Sequence, residues 1–154
     1  MEKAYLKNIA LDVKYQSLVI MIGIEEQEKY LPIWIGNPEA FAIALGKSKV
    51  KTQRPMTHDL LVSVIDGLGG KIEKVILTGL KNDTYFAFIH IKQDEQLVVI
   101  DARPSDSIAL ALKVDAPIYI SEEIEMIDPQ IDTEKHEKIS NQLKIIKPED
   151  LLSM

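Results

Sequence analysis

Two short stretches concentrate the side chains that could do chemistry. IDARPSDS (100–107) sets Asp101, Arg103, Ser105 and Asp106 within six positions, and RPMTHD (54–59) sets Arg54, Thr57, His58 and Asp59 within another six. The chain has sixteen lysines but only two arginines, and both arginines stand immediately before a proline at the entrance of an expected helix. A guanidinium at such a bend can grip a phosphate or carboxylate through two parallel hydrogen bonds, which an ammonium cannot do. The helix N-terminus behind it attracts anions through free N–H groups and its dipole. A third turn, Asn37-Pro38-Glu39, adds one more carboxylate.

Together these residues contain the parts of metal-assisted phosphodiester hydrolysis. Asp101, Asp106 and Glu39 are the expected ligands of a hard divalent metal such as Mg2+, with Asp59 nearby. His58 can move a proton near neutral pH, with Asp59, Asp101 and Asp106 as its catalytic companions. Arg54, Arg103, Thr57 and Ser105 are the expected substrate-binding groups. Each residue also has a structural reading. Asp59 and Asp106 complement helix dipoles, Thr57 and Ser105 serve as caps, and Asp101 pairs with an arginine as a strut.

The secondary structure that carries these groups follows from periodicity. Apolar alternation and β-branched content predict strands over 5–13, 17–24, 30–35, 72–80, 84–91 and 96–101, with polar connections at 25–29 and 92–95. Helices are predicted over 38–46, capped by Asn37; over 56–68, capped by Thr57 and stopped at Gly69-Gly70; and over 105–114, capped by Ser105. Segments 7–47 and 73–113 both read strand, hairpin, proline-started helix, and Ile43-Ala44-Leu45 matches Ile108-Ala109-Leu110 at an offset of 65. The expected fold is α+β: two β-β-β-α-like repeats related by a pseudo-twofold and joined by a central helix. Residues 1–125 form the domain, and residues 126–154 form a charged helical appendage with an amphipathic helix near 133–145.

Composition narrows the function. The absence of cysteine removes disulfides, thiolate metal sites and a cysteine nucleophile, and fits a cytoplasmic location. No run approaches the ~20 apolar residues that span a bilayer, so no membrane partner is expected. A formal charge of −6 argues against a protein that coats nucleic acid nonspecifically. That charge sits mostly in the tail, where nine acids face four lysines from Ser121 onward. Within the near-neutral body, residues 46–58 hold Lys47, Lys49, Lys51 and Arg54 with no acid. In an extended strand the three lysines would share one face, as a solvated edge or a phosphate track.

Other candidates read as structural. His90, alternating with Phe86 and Phe88, is expected as a hydrogen-bonded sheet residue, His136 as solvated, and Trp34 as core or dimer interface. Gly67-Leu68-Gly69-Gly70 follows a helix, so it is a stop and not a phosphate cradle, and no Walker A, GxSxG or HExxH pattern is present.

Three strings, LPIWIGNPEAFAIAL (31–45), RPMTHDLL (54–61) and IDARPSDSIALAL (100–112), in this order, resemble the bifunctional nuclease domain family over roughly residues 5–125. The resemblance implies an α+β domain, commonly a homodimer, with nuclease activity of the kind attributed to plant members on both DNA and RNA. Carried over by position, the family's shared polar residues fall on Glu39, Arg54, Thr57, His58, Asp59, Asp101, Arg103, Ser105 and Asp106. The expectation is a nuclease that hydrolyses phosphodiester bonds of nucleic acid. Its alternative is a non-catalytic dimeric module whose Arg-Pro turns bind a metabolite anion or a partner's carboxylate. A third reading makes the arginines struts between the halves.

Overall fold

The computed structural model describes residues 1–153. In chain order the strands are β1 (Glu2–Asp12), β2 (Ser17–Ile24), β3 (Tyr30–Ile35), β4 (Gly70–Lys81), β5 (Thr84–Gln93), β6 (Gln96–Ala102), β7 (Ile118–Ile120) and β8 (Leu143–Ile146). The helices are α1 (Asn37–Ser48), α2 (Thr57–Gly67), α3 (Pro104–Val114), α4 (Thr133–Gln142) and α5 (Pro148–Leu152). Local turn chemistry explains the hairpins. Asn82 and Asp83, both at positive φ (53° and 59°), close the β4–β5 hairpin as a two-residue turn of the kind Asn and Asp tolerate. Asp12 folds back at the β1–β2 turn, its Oδ1 accepting the backbone N–H groups of Lys14 and Tyr15 at 3.0 Å each.

One eight-stranded sheet runs β3-β2-β1-β7-β4-β5-β6, and β8 pairs with β1 beyond the short β7. The fold is therefore α+β, with β1-β2-β3-α1 and β4-β5-β6-α3 on either side of β7. β7 runs antiparallel to β1 and parallel to β4. One sheet face carries Ile9, Ile20, Ile22, Val75, Leu77 and Ile89 into a core shared with Ile43 and Ala44 of α1 and Ile108 and Ala109 of α3. Each fully buried isoleucine contributes about 1.5–3 kcal/mol relative to exposure. The two helices touch closely because residue 46 is glycine: a Cβ there would meet Leu112 Cβ at 3.0 Å and the Ala109 carbonyl oxygen at 3.3 Å.

The first two helices begin one residue earlier than the caps read from sequence, and the third begins two residues earlier. Gly36, Met56 and Arg103 occupy the N-cap positions, so Asn37 and Thr57 are first helical residues and Ser105 is the second. Proline tolerance at both of the first two positions makes this shift invisible to the sequence. As a result Glu39, Asp59 and Asp106 each fall at the third helical position. α1 and α3 end on left-handed residues, Lys49 (φ 60°) and Asp115 (φ 56°), and these two caps form an ion pair at 2.9 Å. The expected extended lysine strand does not form: Lys47 lies in α1, Lys49 caps it and also bonds the Leu112 carbonyl, and only Lys51 and Arg54 lie in the following loop.

The segment after residue 125, expected as an appendage, is part of the packed structure. β8 extends β1 through pairs from Ile9–Ile146 to Asp12–Leu143, and α5 buries Leu151 against the core. α4 lies over the face of β1-β2-β3 that points away from α1, where Ala10, Val19 and Tyr30 are buried. There His136 is not solvated: its Nδ1 is 2.7 Å from the Tyr30 hydroxyl. Trp34 is 45% exposed, and its indole N–H donates to Asp12 Oδ2 at 2.8 Å, beside a second bond from Gln142 Nε2 at 2.8 Å. Burial pushes the fully enclosed Asp12 carboxyl up, but the bonds from Trp34, Tyr15, Gln142 and Lys14 outweigh it and hold the group below the usual carboxylate range. His90 departs from expectation too, its buried Nδ1 having no hydrogen-bond partner.

Candidate active site

Three helix N-termini converge on one cleft of about 350 Å3, lined by Pro38, Glu39, Phe41, Ala42 and Leu45 of α1, Met56, Thr57 and His58 at the start of α2, and Arg103 and Asp106 at the start of α3. The free N–H groups and positive dipole ends of the three helices make its mouth receptive to negative charge. A continuous polar network crosses it. Arg103 donates through Nε to Asp106 Oδ2 at 2.8 Å, through Nη2 to Asp106 Oδ1 at 3.2 Å, and through Nη1 to Glu39 Oε1 at 3.0 Å. His58 Nε2 lies 2.9 Å from Asp106 Oδ1.

The electrostatics follow from these contacts. Asp106, and then Glu39, push the Arg103 guanidinium still further from deprotonation. Burial raises Asp106, but its bonds to Arg103 and His58 more than reverse this, so it stays ionised well below the usual range. An ionised carboxylate can only accept, so His58 must carry its proton on Nε2. Nδ1 makes no hydrogen bond to a described residue, so in the neutral ring it holds the lone pair. Three of Arg103's five N–H groups are engaged, and its side chain is 62% exposed, so the remaining donors face solvent. Glu39 owes its place to Gly36. Its Oε2 is buried without a partner, 2.5 Å from where a Cβ on residue 36 would stand.

Of the residues singled out from sequence, the fold brings together Glu39, Thr57, His58, Arg103 and Asp106. It leaves out four. Asp101 lies on β6 opposite Phe88, whereas its neighbours Ile100 and Ala102 pair with the core-facing Ile89 and Ala87, so strand alternation turns Asp101 to the face away from the helices. Asp59 is committed to structure. It accepts Lys113 Nζ at 2.7 Å and the Met56 N–H at 2.9 Å, and these two bonds, the lysine's first, hold its carboxyl low against the opposing effect of burial. Ser105 is buried within α3 and does not line the cleft. Arg54 is exposed in the loop before α2, makes no ion pair with a described residue and does not line the cleft either. The expected meeting of two guanidinium groups therefore does not occur.

The apolar wall of Pro38, Phe41, Ala42 and Leu45 adds to the site residues that carry no chemistry of their own to mark them in the sequence. Its signal was present in the i, i+3, i+4, i+7 spacing on a helix whose Ala40, Ile43 and Ala44 already supply a core face.

The expected metal set does not fit this geometry. Asp101 is on the other side of the sheet, both oxygens of Asp106 are bonded, and the Arg103 guanidinium stands between Asp106 and Glu39, where a cation would stand. Among the described residues no group of three or more His, Asp or Glu side chains is spaced to hold a metal ion.

The fold and cleft define an α+β domain with a histidine–carboxylate–guanidinium site at the meeting of three helix N-termini. The chain belongs to the bifunctional nuclease domain family, whose model matches residues 19–130. An uncharacterized protein of Mycobacterium tuberculosis (strain H37Rv) is 40% identical over 106 residues, covering 69% of this chain and 63% of that protein. Bifunctional nuclease 1 of Oryza sativa subsp. japonica is 20% identical over 133 residues, 84% of this chain and 36% of the plant protein. Bifunctional nuclease 2 of Arabidopsis thaliana is 25% identical over 94 residues, 59% of this chain and 29% of its own length. The chain thus spans less than two thirds of the length of these relatives. Among the described residues no helix is long and apolar enough to cross a membrane.

Proposed function

We propose that the cleft is a nuclease active site that hydrolyses phosphodiester bonds of DNA or RNA, with His58 as general base. The observation that carries this reading is the His58–Asp106 bond at 2.9 Å, which leaves Nδ1 as the basic atom of a cleft at three helix N-termini. Asp106 orients the imidazole and stabilises the imidazolium that forms when Nδ1 takes a proton from water or a 2′-hydroxyl. The unengaged N–H groups of Arg103 and the helix dipoles oppose the charge that grows on the phosphoryl oxygens. Glu39 positions Arg103. Family membership supports the same direction. The test is cleavage of a single-stranded oligonucleotide by purified wild-type and His58→Ala protein, each with and without EDTA. Wild-type cleavage lost by about two orders of magnitude or more in the variant is expected. Equal cleavage by both would mean a contaminant. Cleavage abolished by EDTA and restored by Mg2+ would reinstate a metal, with Arg103 displaced from between the carboxylates.

One observation favours a non-catalytic partner-binding module instead: Arg103 already has two carboxylate partners, so the polar groups satisfy one another and no surplus positive charge is left to stabilise a developing phosphorane. Absence of cleavage together with a ligand-induced rise in Tm would select that reading.

We also infer a homodimer. Among the described residues nothing corresponding to α4 covers the outer face of β4-β5-β6. Leu97 and Val99, exposed at 56% and 49%, stand there beside Phe88 on an edge strand free of proline and lysine. Val99→Lys is expected to convert the dimer to monomer in light scattering. A monomeric wild type would refute the inference. The antiparallel course of β1 and β4, the matching left-handed helix caps and the third-position acids support reading the two halves as repeats about a pseudo-twofold.

A further inference from the structure

We propose that the cleft accepts the base of one unpaired nucleotide, so that the substrate is single-stranded nucleic acid; this rests on the nuclease reading of the same site. α1 is apolar on two sides. Ala40, Ile43 and Ala44 enter the core, while Phe41, Ala42 and Leu45 line the cleft, with Met56 of the α2 entrance among the walls. The polar groups, Glu39, His58, Arg103 and Asp106, gather at the helix starts. An aperture that only held a phosphate would have no use for an apolar wall of this extent, whereas the flat face of a base is matched by it.

Charge leads to the same conclusion. Glu39 and Asp106 contribute two negative charges and Arg103 one positive, so with His58 neutral the site is negative by one. Attraction for a phosphate within the cleft is correspondingly weak. Affinity must come from the base inside and from cations outside it. Lys51 and Arg54, on the loop leading into Met56, are exposed and make no ion pair with a described residue, which leaves them free for flanking phosphates. Size completes the argument. About 350 Å3 lies at the small end of ligand sites and admits one nucleoside-sized group. A base held in a duplex would have to be unstacked and unpaired before it could enter.

The experiment is fluorescence anisotropy with the full chain and three phosphorothioate-linked probes of about a dozen nucleotides: a single strand, the same backbone without bases, and the duplex. The single strand is expected to bind about tenfold or more tightly than either of the others. Ala42→Phe, which adds bulk to the apolar wall and leaves every polar residue of the cleft unsubstituted, is expected to reduce single-strand binding to the abasic level. Equal binding of the intact and abasic strands by wild-type protein overturns the proposal, and so does unchanged binding by a folded Ala42→Phe variant. If that variant does not fold, the abasic comparison decides alone. Cleavage of phosphodiester versions run in parallel separates the two readings. Cleavage indifferent to the presence of bases sinks this inference and leaves the nuclease standing, and base-dependent binding without cleavage does the reverse.

Discussion

Asp106→Asn separates catalysis from scaffolding. Asp106 accepts three charge-assisted bonds, from Arg103 Nε at 2.8 Å, Arg103 Nη2 at 3.2 Å and His58 Nε2 at 2.9 Å. Asparagine offers one acceptor oxygen and one donor amide, so neither of its orientations keeps all three bonds: with the oxygen at the Oδ1 position, the amide meets the Arg103 Nε–H donor against donor. If the oxygen serves Arg103 Nε, the amide donates to His58 Nε2, the ring proton moves to Nδ1, and the lone pair of the proposed base is lost. Bonds to charged groups are worth ~1.5–3 kcal/mol each, but with the Arg103 side chain 62% exposed the stability loss falls to about 1 kcal/mol. A misplaced base costs more, about 10²–10⁴ in rate, or ~3–5 kcal/mol in the barrier. Denaturant unfolding and a fluorogenic oligonucleotide assay read the two quantities on one preparation. A rate within about threefold of wild type, with stability reduced as expected, would show that the His58–Asp106 pair only holds helices together.

Leu151→Ala should lower unfolding stability by about 2–3 kcal/mol, because the side chain is 8% exposed and packs in the core; a change below about 0.5 kcal/mol would mean that α5 is not docked in solution. Acid should destabilise the protein through Asp12, Asp59 and Asp106, whose carboxyls are all held low in the fold. Such groups contribute stability that is complete above the unfolded carboxyl value of ~3.9 and is lost as pH falls through their lower folded values. Tm should therefore hold steady, as far as these groups decide it, from neutrality to about pH 5 and drop below about pH 4. Asp12→Asn should lower the neutral Tm by several degrees, flatten that acid limb and shift the emission of Trp34, whose indole it holds. A Tm that rose on acidification would contradict the assignment.

The information legible along the chain is local. Alternation placed six strands within a few residues of β1 to β6, and proline and glycine punctuation placed α1 to α3, because these signals arise from contacts a few residues apart. Asp59 and Asp106 were legible as acids that complement a helix dipole, but their third position was not, because the helices start earlier than the capping residue types suggest. β7 and β8 were not, since strands of three and four residues exist only by virtue of the β1 and β4 edges they pair with. The site was half legible. Glu39, His58 and Asp106 could be named as reactive groups, but nothing in their types says that residues 39, 58, 103 and 106 meet. Asp101 shows why: two positions from Arg103, it ends on the opposite side of the sheet because a strand alternates its side chains before the chain turns into a helix. Only the packing of α1, α2 and α3 on one face decided which charges share a cleft, and it turned an arginine expected to await a phosphate into one already held by two carboxylates.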